Sequence, residues 1–442
     1  MVSSIYYRYS ESFPKYEFTS GNLNSIKGCL PALEALTNLL YSLLFIIFPL
    51  KNYALIILIA LNKFRKYDIH NLACDNYAVT ISSKDIYFGN RFLSLPGFQY
   101  IHVNGRSDID VPLSIYYFLN FKNIILYIFF LPLILIFKFV LAFKILRYDV
   151  NLNEKINFLN EVAVELSSGT YLTGRFIDFS FCNVFKNIQI RNLVLPFEGR
   201  NWEKRIFSLA KEYNINTIAI IHSAITSCNK SAYDYNLLCR AHIPNYIMTP
   251  GKYFTEILIR YGWPNEKVVT SNYLRGIMEA DFKDANPRII FSLTGNLHLS
   301  KLILQRICTI KDPNNLIFIS LNNRAASYSE LVKLTNNLKL TLWDKSLSKT
   351  SILLTSSTSH FLEFLHKRIK TLPYSFSESH CQPGFDLPDD PIRNLTLDLD
   401  YISSYDSISL YEHIESLSCD LDPSFFFNLE DQFTSTINGL LK

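Results

Sequence analysis

From residue 190 onward, short β-branched runs alternate with segments whose apolar residues recur at helical spacing. That alternation constrains the fold more than any other feature of the chain. Arg191–Leu195 (RNLVL) is closed by Pro196 and is predicted as a buried strand. Trp202, Ile206, Leu209 and Tyr213 mark one face of a helix over 200–213, and Thr217–Ile221 (TIAII) is the next strand. A strand–helix–strand unit forces parallel strands joined by a right-handed crossover. Tyr246–Met248, the turn Thr249-Pro250-Gly251 and a helix over 252–261 continue the series until Gly262 and Trp263-Pro264 stop it.

A second series starts at Arg288. Ile289–Leu293, Leu316–Ser320, Leu340–Trp343, Ser351–Leu354 and Ile369–Leu372 are predicted strands, with helices near 298–310, 328–337 and 358–366 between them. Tyr77–Ile81 and Tyr100–Val103 are plausible strands of the first half. The predicted class is therefore α/β, with two Rossmann-like domains facing a cleft. The predicted division is 1–265 for the first domain, 266–385 for the second and 386–442 for a tail.

The tail is distinguished by charge. Residues 386–442 hold 12 Asp and Glu against Arg393 and Lys442, which leaves 41 basic and 27 acidic residues in the rest of the chain. A basic body suits a phosphate-rich ligand or an anionic membrane surface, and no basic-aromatic stripe points to nucleic acid. At 49% hydrophobic and 19% charged, the chain is not a disordered one. Its eight cysteines form no CxxC or CxxxC pair, and Met1–Tyr16 has no apolar run of signal-peptide shape. Both features fit a cytosolic location with free thiols.

Two apolar stretches interrupt the first half, at about 31–61 and 113–147. Ile124–Phe137 reads IILYIFFLPLILIF, 14 residues without a charge, against the roughly 20 that a spanning helix needs. Lys122, Lys138, Lys144 and Arg147 flank it. That arrangement fits a helix lying at a headgroup interface on the inner face of a membrane, ahead of a buried core helix or a spanning one.

Ligands of parallel sheets bind outside the carboxyl ends of the strands. Glu198 lies just past the first strand of the series and His222 just past the second, so both are expected on one rim; Glu203 sits one helical turn further, where a carboxylate also caps a helix. In the second half, Thr294-Gly295-Asn296 and Ser356-Ser357-Thr358 each place small polar residues between a strand and a helix N-terminus, a setting suited to phosphate. Arg324 lies on the loop between them and supplies a charge-assisted bond. No GxGxxG, P-loop or metal-ligand cluster occurs, so no cofactor and no metal are expected.

The stretch LVLPFEGRNWEKRIFSLAKEYNINTIAIIHS (193–223) resembles bacterial surface-carbohydrate (capsule or lipopolysaccharide) biosynthesis proteins of the two-Rossmann-domain, GT-B-like glycosyltransferase type. Glu198, Trp202, Glu203 and His222 stand where that family has a Glu-x-x-x-Trp-Glu segment and a strand ending in His. Residues 245–276 resemble its linker, and RIIFSLTG with Ser356-Ser357-Thr358 resembles its nucleotide-binding half. The resemblance implies transfer of a sugar from a nucleotide-activated donor to a glycan or lipid-linked acceptor, and more distantly a cytidine-monophosphate-linked acidic sugar. Glu198 or His222 is the candidate general base. Asn322-Asn323 replaces the His-Pro pair that related transferases carry after the strand corresponding to 316–320. A non-catalytic, membrane-associated binding or scaffold protein with a degenerate glycosyltransferase fold is the alternative this departure leaves open.

Overall fold

A computed structural model describes residues 32–50, 52–54, 74–80, 95–103, 118, 121–145, 152–167, 170–199, 201–221, 225, 233–236, 238, 240–271, 282–284, 286–293, 297–321, 328–344, 347–348, 350–355, 361, 364–365, 369–375, 397–418, 424 and 433–441. The first sheet is built from β1 (Asn76–Thr80), β2 (Phe98–His102), β3 (Asn192–Pro196), β4 (Asn216–Ile220), β5 (Tyr246–Thr249) and β6 (Val268–Thr270). Every pairing in it is parallel, in the order β2-β1-β3-β4-β5-β6. Its strands are apolar on both faces, as a sheet covered on two sides requires. Tyr77, Val79, Leu193, Leu195 and Ala219 enter the larger core, while the alternate residues Ala78, Val194, Ile218, Ile220 and Met248 form a separate cluster on the opposite face.

Among the described residues, four helices belong to the first half before or between those strands: α1 (Ala32–Ile47), α2 (Phe121–Ile145), α3 (Leu152–Ser167) and α4 (Thr170–Asn187). A fifth, α5 (Asn201–Glu212), is the crossover from β3 to β4, and α6 (Lys252–Arg260) is that from β5 to β6. Asn214, at φ 56°, ends the α5 crossover in the left-handed conformation that asparagine tolerates. Gly262 (φ 85°) does the same after α6, with the Asn236 side chain 2.6 Å from where a Cβ would stand.

Phe282–Asp284 (β7) pairs in parallel with Leu347–Ser348 (β11) in a separate two-stranded ribbon. The second sheet uses β8 (Arg288–Ser292), β9 (Ile317–Ser320), β10 (Thr341–Leu342), β12 (Ser351–Thr355), β13 (Lys370–Ser375) and β14 (Leu397–Asp398). It is also wholly parallel, in the order β10-β9-β8-β12-β13-β14. Helices α7 (Leu297–Ile307) and α8 (Tyr328–Asn337) connect β8 to β9 and β9 to β10. Counting only its own strands in chain order, the second sheet reads 3-2-1-4-5-6 and the first 2-1-3-4-5-6. Both are doubly wound arrangements. The α/β class with two Rossmann-like sheets is thus present.

Two boundaries differ from the expected ones. β6 joins the first sheet, so that half runs through Thr270 rather than ending at 265. The described residues of 386–442 do not stand apart as a tail, because apolar spacing within them outweighs the charge of the segment. β14 closes the second sheet, and Leu399, Ile402, Leu410 and Ile414, the last two on α9 (Ser407–Ser418), are buried in the second core. The last helix, α10 (Phe433–Leu440), returns to the first half, where Phe433 and Ile437 cover Ala78, Val194 and Ile218. Asn216 Nδ2 donates to the Leu440 carbonyl at 3.4 Å. Phe361 and Leu365 are likewise buried in the first core. The two halves therefore share packed residues at two places.

Candidate functional site

In a doubly wound sheet the ligand crevice opens where the strand order reverses. In the first sheet that point lies between β1 and β3, and in the second between β8 and β12. The residues at those strand ends define the candidate site.

Pro196 ends β3 opposite Ile220 of β4, which brings the segments carrying Glu198 and His222 out of neighbouring strand ends. The backbone leading to Glu198 is held firmly. The Phe197 amide donates to the Ile220 carbonyl at 2.8 Å, its ring packs edge-on against Phe207 and Tyr233, and the Tyr233 hydroxyl reaches its carbonyl at 3.5 Å. Gly199 follows with φ 76°, a left-handed conformation that lets the chain turn straight into α5. Glu198 itself is half-buried at this rim.

Glu203 is fully buried, and its Oε2 accepts the Glu198 amide proton at 2.9 Å. The carboxylate sits in the first turn of α5, where the free N–H groups and helix dipole favour negative charge. This is a capping interaction that reaches back across the turn, so Glu203 holds Glu198 in place from beneath. Trp202, 7% exposed, packs into the first core beside it.

On the other side of β1 from the switch point, two strand ends bring together a pair that the sequence did not single out. Thr80, the last residue of β1, stands opposite His102, the last of β2, with its Oγ1 3.2 Å from the imidazole nitrogens. Both are almost fully buried. Adjacency of two strand ends was the missing information, and nothing in the local pattern around residue 102 supplies it. At the far side of the rim, hydroxyls form a chain: Thr249 Oγ1 to Thr255 Oγ1 at 2.6 Å, and Thr255 Oγ1 to Thr270 Oγ1 at 2.8 Å.

Behind α5 lies a charged layer. Arg205 pairs with Asp178 of α4 at 3.7 Å, and Lys211 Nζ donates to the Arg240 carbonyl. Burial pulls the Lys204 ammonium down to about 8, with the Glu203 carboxylate resisting the fall. His242 is pushed down to about 4, first by burial and then by the positive charges of Lys204, Arg205 and Lys211. Both shifts disfavour the protonated form, as desolvated cations should.

In the second sheet Ser292, Ser320 and Thr355 end β8, β9 and β12 side by side, with Ser292 in register with both of the others. Ser292 and Thr355 are buried, and the Tyr374 hydroxyl donates to the Ser292 carbonyl at 2.9 Å. Thr294, Gly295 and Asn296 follow β8 and precede α7; Asn322, Asn323 and Arg324 follow β9; Ser356, Ser357 and Thr358 follow β12. Those residues, together with His222, lie outside the described residues; β8, β9 and β12 end on one edge, and β8 and β12 flank the switch point of the second sheet. Among the described residues no group of His, Cys, Asp and Glu is placed to hold a metal. A cavity of about 660 Å3 opens at the opposite, amino edge of the first sheet, between Arg191, Asn216, Asn245, Lys267 and Leu440.

No protein-family model matches the sequence, and no curated protein matches it. Solved structures give distant likenesses over most of the chain. The UDP-GlcNAc 2-epimerase from Methanocaldococcus jannaschii is 12% identical, over 83% of this chain and 98% of its own, with a TM-score of 0.47. The corresponding epimerase from Rickettsia bellii is 13% identical over 84% and 94%, with a TM-score of 0.42. The HepE protein of Anabaena in complex with UDP is 9% identical over 83% and 97%, with a TM-score of 0.37.

Proposed function

We propose that the chain is a metal-independent glycosyltransferase of surface-polysaccharide biosynthesis. It moves a sugar from a nucleotide-activated donor to a glycan or lipid-linked acceptor. The observation that carries the reading is the pair of switch points. Glu198 follows the strand beside one of them, and the hydroxyl-rich segments 294–296 and 356–358 follow the strands that flank the other. The resemblance of 193–223 to surface-carbohydrate transferases supports the same assignment.

In this mechanism the acceptor hydroxyl oxygen forms the new bond to the anomeric carbon, and the bond from that carbon to the phosphate oxygen breaks. The acceptor proton passes to the carboxylate of Glu198 or the imidazole of His222. Charge builds on the departing phosphate; the N-terminus of α7 after β8, the hydroxyls of 356–358 and the guanidinium of Arg324 are the groups assigned to meet it. Glu203 acts through Glu198, by fixing the peptide that carries it. A cytidine-monophosphate-linked acidic sugar is the donor we favour.

The test is single-turnover release of nucleotide from a panel of activated sugars. Glu198→Gln and His222→Ala are each expected to slow release by more than about tenfold while nucleotide affinity is kept. Wild-type rates in both variants would remove these residues from the chemistry. Nucleotide binding without any release by the wild-type chain would favour a binding protein.

A further inference from the structure

Among the described residues, 22 large apolar side chains stand exposed, and 17 of them belong to α1, the turn after it and α2. On α2 the most open are Phe129 (76% exposed), Leu133, Phe137 and Phe143. On α1 and its turn they are Leu40, Tyr41, Phe48 and Leu50. Open side chains of this size present on the order of 1,500 Å2 in total, several times the few hundred Å2 of the largest apolar patch on an ordinary monomer.

The opposite side of α2 is occupied. Ile124, Leu131, Leu135 and Ala142 lie in the first core. At about 100° per residue these positions fall half a turn from the exposed set. α1 is seated the same way, through Leu39 and Ile46. The Ile124–Lys144 helix is long and apolar enough to cross a membrane. With one whole side committed to a globular core, however, its other side is what remains for contact.

Two observations identify the occupant. Across the 17 exposed side chains the sole hydrogen-bonding group is the Tyr41 hydroxyl. A protein interface carries about one hydrogen bond per 100–200 Å2, whereas hydrocarbon requires none. Charge is the second. Residues 35–67 and 111–148 hold eight Lys and Arg and no Asp or Glu, in a chain with 39 acidic residues. Exposed Lys122 and Lys144 fall on the apolar side of α2, one at each end, about 33 Å apart along the axis. Long cationic side chains there reach headgroup phosphates while their stems stay in the apolar layer.

We propose that α1 and α2 together enter one leaflet of an anionic phospholipid bilayer, with α2 in the plane of the membrane. This reading is independent of the enzymatic one, since it rests on a different surface and different residues.

The experiment is flotation of the full chain with vesicles of phosphatidylcholine alone or equimolar phosphatidylcholine and phosphatidylglycerol, with oligomeric state measured by light scattering. The wild type is expected to float with the mixed vesicles and more weakly with the neutral ones. The doubly substituted Phe129→Glu/Phe137→Glu chain should lose about tenfold or more in partition to both, and Phe129→Gln/Phe137→Gln should do so with less effect on folding. Lys122→Glu/Lys144→Glu should lose the preference for the anionic vesicles. A wild type that stays out of both vesicles overturns the proposal. If it is then a dimer that Phe129→Glu/Phe137→Glu dissociates, a second copy is the occupant. Retention of the wild type in membranes after alkaline carbonate washing also overturns it, in favour of a spanning helix.

Discussion

Replacing Glu203 tests the local architecture of the site most sharply. Its carboxylate is fully buried, takes the Glu198 amide proton at 2.9 Å and faces the first turn of α5. A hydrogen bond to a charged acceptor contributes about 1.5–3 kcal/mol, and a carboxylate at a helix N-terminus a further 0.3–1 kcal/mol or so. Glu203→Ala loses both and takes the acceptor from the half-buried Glu198 amide, so it should cost about 2–4 kcal/mol. At about 2–4 °C per kcal/mol for a domain of this size, the melting temperature of the first half should fall by roughly 5–15 °C. Glu203→Gln keeps an acceptor for the amide and loses the charge, so about 1–2 kcal/mol is expected. The charge has a second consequence. Glu203 raises the otherwise depressed titration of Lys204, so Glu203→Gln should lower the Lys204 midpoint below its value of about 8. The assays are thermal unfolding of both variants and NMR titration of Lys204. A Glu203→Ala chain that melts with the wild type, and an unchanged Lys204 midpoint in Glu203→Gln, would show that this carboxylate neither holds the loop nor meets that cation.

Other expectations follow from single residues. Gly262→Ala forces a methyl into a left-handed backbone position 2.6 Å from the Asn236 amide nitrogen, and should cost about 1–3 kcal/mol in chemical unfolding. Adding Asn236→Ala should recover the steric part and leave about 1 kcal/mol. Truncating Phe433, 2% exposed between α10 and the first sheet, to Ala should destabilise by about 3–5 kcal/mol. A neutral result there would mean that α10 does not dock. His242 titrates near 4 in the folded chain against 6.5 when unfolded. Between those values the unfolded chain binds the extra proton, so stability falls as pH drops through that window. The loss should reach about 1–2 kcal/mol at pH about 5 after allowance for partial solvation. His242→Gln should remove that share of the acid sensitivity, and an unchanged pH profile in this variant would contradict the half-buried neutral imidazole.

The sheets were largely legible because their strands are buried on both faces. Leu193–Leu195 and Ile352–Leu354 read as continuous apolar runs, and such runs survive without knowledge of their neighbours. The α8 helix was expected over the residues where it stands, 328–337. The helices α3 and α4 were missed, since Asn153, Glu154, Lys155 and Asn183 break up patterns whose apolar faces are clear only against their neighbours, α1 and α2 for α3, and α3 and α5 for α4. Charge obscured the end of the chain: Leu410, Ile414, Phe433 and Ile437 have helical spacing, yet the 12 carboxylates around them read as an acidic tail. Of the site, Glu198 was legible as a residue just past a strand. Glu203 was legible as a helix-starting carboxylate, though its bond to the Glu198 amide was not. The Asn76–Asn192–Asn216 ladder runs across β1, β3 and β4 with amide bonds of 2.8 and 3.0 Å, the first joining residues 116 positions apart and the second residues 24 apart. No local pattern announces such a ladder, nor the His102–Thr80 pair.

The account centres on nucleotide recognition at the switch point of the second sheet, and a thermal-shift panel of nucleoside mono- and diphosphates on the full chain tests it most directly. A saturating ligand at about a hundredfold its dissociation constant adds about 2.7 kcal/mol to the folded state. The account predicts a rise of several degrees with one nucleobase, cytidine foremost, and its loss in Ser356→Ala/Ser357→Ala. No shift with any nucleotide, or a shift that survives that double substitution unchanged, would contradict it.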